Sequence, residues 1–313
     1  MTQPLRAAVI GVGYLGRFHA QKWAQAEGVK LVGVVDSDAA RASAVAAEVG
    51  SLAYTDYRDL LGQVDLVSVV VPTERHYTVV RDCLQAGVHV LVEKPITQGV
   101  DEADRLIELA ANQGLTLQVG HLERFNPAWL ALRPHIQGPR FIEAHRLAPF
   151  KPRGTDVSVV LDLMIHDLDL ILSVVESPVA EVRASGTPVL TDGIDIGNAR
   201  IEFENGCVAN LTASRVSIGT LRKMRLFLKD RYLAIDFGER RVNAARRAED
   251  PQQPIALEHI EVPAGDAIMN EVEAFAWAVR QGGPAPVSGE DGRRALALAL
   301  EIGRLMHARG RSQ

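Results

Sequence analysis

Three patterns in these 313 residues predict an α/β protein of two parts. A strand at the start runs straight into a glycine-rich turn and a helix. Strand and helix then alternate to about residue 120, and from about residue 140 strands follow one another with few helices between them. Alternation with fully apolar strands means a parallel, doubly wound sheet. Successive strands that alternate polar and apolar residues mean a large open sheet, mostly antiparallel, in an α+β domain. The length exceeds what one core ordinarily holds, so two domains are expected, residues 1–121 and 122–313.

Arg6 to Ile10 is a short apolar strand that enters Gly11-Val12-Gly13-Tyr14-Leu15-Gly16, and a helix pattern continues past Trp23. A second apolar strand, Lys30 to Val35, ends in Asp36, 20 residues after Gly16. Strand, glycines, helix, strand and terminal acid in that order make the full dinucleotide fingerprint of a Rossmann sheet. Gly11 permits the tight turn, Gly13 lets main chain approach a pyrophosphate, and Gly16 lets helix and strand pack closely. The helix start at Tyr14 and Leu15 supplies amide donors and positive potential. Asp36 suits the adenosine ribose hydroxyls and repels a 2′-phosphate, which favours NAD. Arg41 is near enough in sequence to accommodate that phosphate, so NADP stays open.

Leu66 to Val71 is the next buried strand, ending at Pro72-Thr73-Glu74-Arg75-His76, with a helix to Ala86 and a stop at Gly87. Val88 to Val92 ends in Glu93-Lys94-Pro95; a helix over Val100 to Asn112 and a strand over Thr116 to Val119 follow. Ligands of such sheets sit beyond the carboxyl ends of the strands, where Gly11, Asp36, Pro72, Lys94 and Gly120-His121 fall. A lysine at a strand end is ordinarily a solvated charge. Lys94 precedes a proline, and a cis bond there would turn it towards the ligand.

The later strands are expected at Arg140 to Leu147, Glu181 to Thr187, Ala199 to Phe203, Cys207 to Val216, Lys223 to Leu228, Tyr232 to Phe237 and Leu257 to Val262. Glu204-Asn205-Gly206 signals a hairpin, and the polar stretch Arg240 to Pro254 reads as a loop. Helices close the chain at Ala267 to Arg280 and Gly289 to Ala308. The helix Ser158 to Val175 is apolar nearly all round, broken by Asp167 and by one stripe: Asp162, His166, Asp169 and Ser173 at spacings of four, three and four. Buried polar groups in such a helix either pair with one another or face a polar cavity. This helix covers one sheet face; the other has no helix to spare and is a candidate oligomer interface.

A net charge of −5 gives no reason to expect nucleic acid, and the apolar runs are too short or interrupted to span a bilayer. Cys83 and Cys207 read as buried thiols of a cytoplasmic protein, consistent with a start that shows no signal segment. Nine scattered histidines without HxxxH or HExxH spacing make a metal site unexpected.

Together these residues resemble the glucose–fructose oxidoreductase/inositol dehydrogenase/MocA family over the whole length. The resemblance rests on Gly11-x-Gly13-x-x-Gly16, Pro72 with His76, Glu93-Lys94-Pro95, Asp162-x-x-x-His166 and Gly289-Glu290-Asp291-Gly292. It implies oxidation or reduction of a sugar or polyol carbinol by NAD(P), with Lys94, Asp162 and His166 as the catalytic group. With the fingerprint residues, Pro72, Thr73, His76, Glu93 and Lys94 are the expected cofactor contacts. Chemistry agrees: imidazole suits removal of a hydroxyl proton near neutral pH, and a lysine cation stabilises developing alkoxide. Asp162 would orient the imidazole or hold a substrate hydroxyl, and Asp169 a hydroxyl or a structural partner.

Gly120 to Pro127 and Arg153 to Asp156 look like the nucleotide-sugar branch of that family, which implies oxidation of UDP-N-acetylglucosamine at its C3 hydroxyl. A sugar aminotransferase that uses the ketone, in lipid A synthesis, would be the pathway neighbour. His121, Arg124, Lys151, Arg153 and Arg215 are candidate contacts to the sugar and its pyrophosphate, although Arg124 and Arg215 equally suit pairing with the excess acids. Asn126 suits an N-acetyl group or a hydroxyl, yet Asn126-Pro127 is also a helix-start signal. A dehydrogenase of free inositols or aldoses, and a non-catalytic NAD/sugar sensor, remain open at this point.

Overall fold

The structure, a computed structural model, describes residues 3–151, 157–250 and 252–310. The apolar opening segment forms β1 (Leu5–Ile10), buried from Ala7 onward, and the fingerprint helix is α1 (Tyr14–Gln25). β2 (Val29–Val35), α2 (Ala39–Val49), β3 (Leu52–Tyr54) and β4 (Leu66–Val69) follow. Then come α3 (His76–Gln85), β5 (His89–Glu93), α4 (Val100–Gln113) and β6 (Leu117–Gly120). All pairs are parallel, in the order β3-β2-β1-β4-β5-β6. That order reverses at β1/β4, the position where doubly wound sheets take their ligand. The α2–β3 segment, which the sequence reading left without elements, supplies the edge; β3 is only three residues long and little buried.

The second sheet is built by β7 (Phe141–Leu147), preceded by α5 (Pro127–Leu132) and followed by α6 (Ile165–Leu172). β8 (Val179–Thr187), β9 (Ile196–Phe203), β10 (Val208–Ser214), β11 (Leu221–Phe227), β12 (Arg231–Asp236), β13 (Arg241–Arg247) and β14 (Ile255–Glu258) complete it. Its order is β14-β13-β12-β11-β7-β10-β9-β8, antiparallel except for β10 beside β7. Ile142 and Ala144 point to the apolar layer beneath α6, with Ile165, Leu168 and Ile171 fully buried above them. Trp129 of α5 stacks on Phe237 at 6.4 Å.

β13 corrects the expected loop at Arg240 to Pro254. Only Ala244 of its seven residues is fully buried, so an arginine-rich strand next to the sheet edge keeps its charges in water. β14 likewise lies a few residues before the expected Leu257 to Val262.

α7 (Ala267–Gln281) and α8 (Gly289–Gly310) end the chain, and they alter the expected domains. The compact units are Met1–Phe125 with Asp266–Arg293, and Asn126–Gly265 with Arg294–Gln313. A single cut at 121/122 therefore differs from the folded division. α7 returns to the first sheet because its apolar stripe caps α1: Phe275 meets Trp23 edge-on at 6.4 Å, both fully buried. Truncating either ring would cost about 3–5 kcal/mol. Both cysteines are free and buried, and burial pushes their thiols up to about 12 at Cys83 and about 11 at Cys207.

Candidate active site

In the first unit the carboxyl ends of β1, β2 and β4 open onto a groove of about 520 Å³ lined by Gly11, Gly13, Asp36, Arg41, Pro72 and Arg75. Gly11 has φ 88°, and a side chain there would press within 2.6 Å of the Val70 carbonyl. A Cβ on Gly16 would collide with the Gly11 carbonyl, whereas one on Gly13 would meet nothing within 4 Å. The turn is thus closed on its inner side and open at Gly13, as a pyrophosphate requires. Tyr14 is exposed and lies edge-on to Phe18; Leu15 is half-buried in the first turn of α1.

Asp36 is buried at the end of β2. It accepts the Val12 N–H at 3.1 Å and the Asp38 N–H at 3.0 Å, and both its oxygens lie 3.2 Å from Arg41 Nη1. A strand-end carboxylate preset by main-chain donors fits an adenosine ribose.

Pro72 caps a short 3-10 turn over Thr73–Arg75 that leads into α3. His76, an expected cofactor contact, turns its ring inward, Nδ1 2.8 Å from the Pro95 carbonyl and Nε2 2.9 Å from that of Val71. Burial holds its imidazole below the usual range, against the pull of those two carbonyls. It thereby braces the Pro72 loop against the loop that carries Lys94. The Lys94–Pro95 bond is cis, and Lys94 is half-buried. Glu93 accepts the Lys94 N–H through Oε2 at 3.2 Å, and its Oε1 lies 3.2 Å from His19 Nε2. His121 is buried just past β6, and Arg124 follows in the 3-10 turn Leu122–Phe125, where its guanidinium lies 3.8 Å from Asp291.

In the second unit the expected single α-helix is two pieces. Val160–Met164 winds as a π-helix and α6 continues from Ile165. Such wide turns are rare and concentrate at functional sites. The π turn carries Asp162 and breaks the even stripe that ordinary helical spacing predicts, leaving His166 and Asp169 on α6 and Ser173 as its cap. Asp162 and His166 are half-buried and Asp169 is buried. Asp167, expected only as an interruption, is held in the core by a two-pronged pair with Arg146 of β7 at 2.8 and 3.0 Å. That pair anchors the turn bearing His166 to the middle of the sheet.

Asn126 caps α5, its Oδ1 accepting the Ala128 N–H at 3.1 Å and its Nδ2 donating to the Phe237 carbonyl at 3.3 Å, so the helix-start signal is realised. Arg215, buried after β10, donates to the Val157 carbonyl. Arg153 lies outside the described residues. His19, Glu271 and Arg146 were not anticipated. Each is a polar residue at an inward position of an otherwise apolar face, which was the available signal.

The reversed parallel sheet, the open turn at Gly13 and the ribose-type carboxylate of Asp36 define an NAD-binding Rossmann domain. The family model for oxidoreductases with an NAD-binding Rossmann fold matches residues 5–121, and that for the GFO/IDH/MocA C-terminal domain matches 138–231. The chain belongs to the GFO/IDH/MocA oxidoreductase family. It is 44% identical over 302 residues to UDP-N-acetylglucosamine 3-dehydrogenase of Acidithiobacillus ferrooxidans, spanning 95% of this chain and 96% of that one. The solved structure of that enzyme superposes with a TM-score of 0.92, covering 97% of this chain and 98% of the other. Myo-inositol 2-dehydrogenase of Thermotoga maritima is 27% identical over 94% of each chain.

Proposed function

We propose that this oxidoreductase takes a hydride from C3 of UDP-N-acetylglucosamine, giving the 3-keto sugar, NADH and a proton. The observation that carries this is the 44% identity, along nearly the full length of both chains, to an enzyme of that activity. NAD, when bound, supplies the hydride acceptor. His166 takes the hydroxyl proton, as an imidazole near neutral pH is suited to do. Lys94 carries the positive charge that steadies the developing alkoxide. Asp162 orients His166 or holds a neighbouring hydroxyl, while Asp169, His121, Arg124, Arg153 and Arg215 serve the sugar and its diphosphate. Asn126 serves through the cap that starts α5.

The test is NADH formation from NAD and UDP-N-acetylglucosamine, with glutamate and a sugar aminotransferase present to remove ketone. Absorbance that rises with the coupled system supports the reading; turnover of myo-inositol but not the nucleotide sugar would overturn it. NAD binding without turnover of any sugar would instead favour the sensor.

We further propose a cytoplasmic homo-oligomer, dimer or tetramer, feeding a sugar aminotransferase of lipid A synthesis. Support for assembly comes from the sheet face opposite α6, where half-buried Phe141, Phe227 and Tyr232 form a ladder with ring centroids 6.0 and 5.3 Å apart. No helix of the described residues is long and apolar enough to cross a membrane. Sedimentation at micromolar concentration tests the assembly: a Phe227→Glu chain that stays as assembled as the parent removes this interface.

A further inference from the structure

α7 brings into the first unit a carboxyl that the proposed chemistry leaves unused. Glu271 is fully buried, and among the described residues neither of its carboxyl oxygens meets a hydrogen-bond partner. Its carboxyl, the His19 ring and the Glu93 carboxyl offer atoms that all lie within 4.8 Å of one another. The trio ends a chain of polar contacts. Trp23 Nε1 donates to Ser68 Oγ at 2.7 Å, and that hydroxyl lies 3.2 Å from His19 Nδ1. A hydroxyl that accepts from Trp23 can donate its own proton to Nδ1, which leaves Nε2–H to donate to Glu93 Oε1. The other Glu93 oxygen holds the Lys94 main chain.

Two carboxylates this close and out of water do not both ionise. Glu93 has donors and Glu271 has none, so the proton belongs on Glu271. Burial first, and the Glu93 charge second, push the Glu271 carboxyl well above its ordinary range. The elements packed against α7 also carry Tyr14, Arg17 and Lys22 on α1, and Glu123 and Arg124 on the 3-10 turn; Arg17 is engaged by Glu48 at 2.7 Å. Lys22 is engaged by Asp266 at 3.0 Å, and Arg124 lies 3.8 Å from Asp291. With the Ser68 hydroxyl donating to Nδ1, His19 turns an N–H and not a lone pair towards Glu93, an arrangement that suits a metal ion poorly.

We propose that Glu271 is a neutral carboxylic acid set beside Glu93 and so acts as a positioning residue for Lys94. The functional half of this rests on the reading of Lys94 as the group that steadies the alkoxide. The proton itself is tested without turnover, by infrared spectroscopy of the whole protein in H2O and D2O. A carboxylic-acid C=O band that shifts in D2O and vanishes in Glu271→Gln is expected; its absence from the parent protein overturns the proposal.

Turnover then tests the positioning, with NAD binding by calorimetry as the check on folding. Glu271→Gln keeps a donor towards Glu93, so kcat should stay within about threefold and the alkaline limb of its pH profile should not move. Glu271→Leu should bind NAD but lose about tenfold or more in kcat. Glu93→Gln removes a negative charge beside the lysine and should move that limb to lower pH. A Glu271→Gln limb that moves as far as the Glu93→Gln limb would show an ionised Glu271. Stoichiometric Zn²⁺ binding to the parent, lost in Glu271→Gln, would show a metal site; either result refutes the neutral carboxyl.

Discussion

Replacing Asp36 with alanine should reverse the preference for NAD, and the size of the effect follows from its contacts. Its carboxylate has about four lone-pair sites. Two are taken by the Val12 and Asp38 N–H groups, and Arg41 covers what remains. A ribose hydroxyl must therefore displace Arg41. A hydrogen bond to a charged group contributes about 1.5–3 kcal/mol. The displaced pair, half exposed on its arginine side, is worth about 0–1 kcal/mol. The balance, about 0.5–3 kcal/mol, predicts NAD binding weakened roughly 2- to 150-fold. For NADP the sign reverses. At an effective dielectric of about 20, a unit charge about 5 Å from another contributes about 3 kcal/mol. Removing Asp36 relieves that repulsion and frees Arg41 to meet the phosphate. The measurement is kcat/KM for both cofactors in the parent, Asp36→Ala, and Asp36→Ala with Arg41→Ala. The ratio NAD/NADP should fall by on the order of a hundredfold or more in the single variant and recover partly in the double. A ratio unchanged within about threefold would refute the ribose assignment.

Lys94→Ala and His166→Ala should each lower kcat by roughly two to four decades while calorimetry shows NAD binding kept; a loss of melting temperature with normal activity of the folded fraction would make His166 structural instead. Arg146→Ala takes two hydrogen bonds from the buried Asp167 carboxylate, and should destabilise the protein by about 3–5 kcal/mol in urea titration, whereas Arg146→Met with Asp167→Leu should recover most of it. Asp195, held at about 2 by the Thr191 hydroxyl and the N–H groups of Leu190, Val189 and Thr191, favours folding at all pH values above its unfolded range. Asp195→Asn should cost about 1–2 kcal/mol at neutral pH, allowing for solvent screening in the loop. That difference should shrink as pH falls below about 4 and vanish near 2, which acid unfolding curves of the two proteins would show.

Much of the cofactor half was readable because its signals are local. Gly11, Gly13, Gly16 and Asp36 stand at fixed spacings within one strand–turn–helix–strand stretch, and strand alternation carries the rest. Lys94 was readable because a strand end beside a proline is visible without coordinates. What stayed hidden depends on partners far along the chain. Arg146 sits in the inward phase of β7, and only the fold supplies Asp167 opposite it. Glu271 reads as one more acid on a helix until α7 is seen to return to α1 and the end of β5. The π turn at Asp162 escapes any reading that assumes 3.6 residues per turn. β13 escaped because an arginine-rich stretch is expected in water, and near a sheet edge a strand satisfies that expectation too. A single cut at 121/122 omits the α7 segment for the same reason that Glu271 stayed hidden: proximity in sequence does not report the return of a late helix.

That return bears on how the chain is made. The nucleotide-binding sheet, complete in its strands by Gly120, waits for α7, and 140 residues, Asn126 to Gly265, must be synthesised first. At ribosomal rates of about 5–20 residues per second that is on the order of ten seconds. Throughout it, Trp23 has no Phe275 to cover it and Glu93 has no Glu271. The nascent first unit therefore leaves the ribosome as an unfinished body with an open apolar flank. A mutation that weakens α7 would then be felt as poor yield in the cell before it is felt as slow catalysis in the tube.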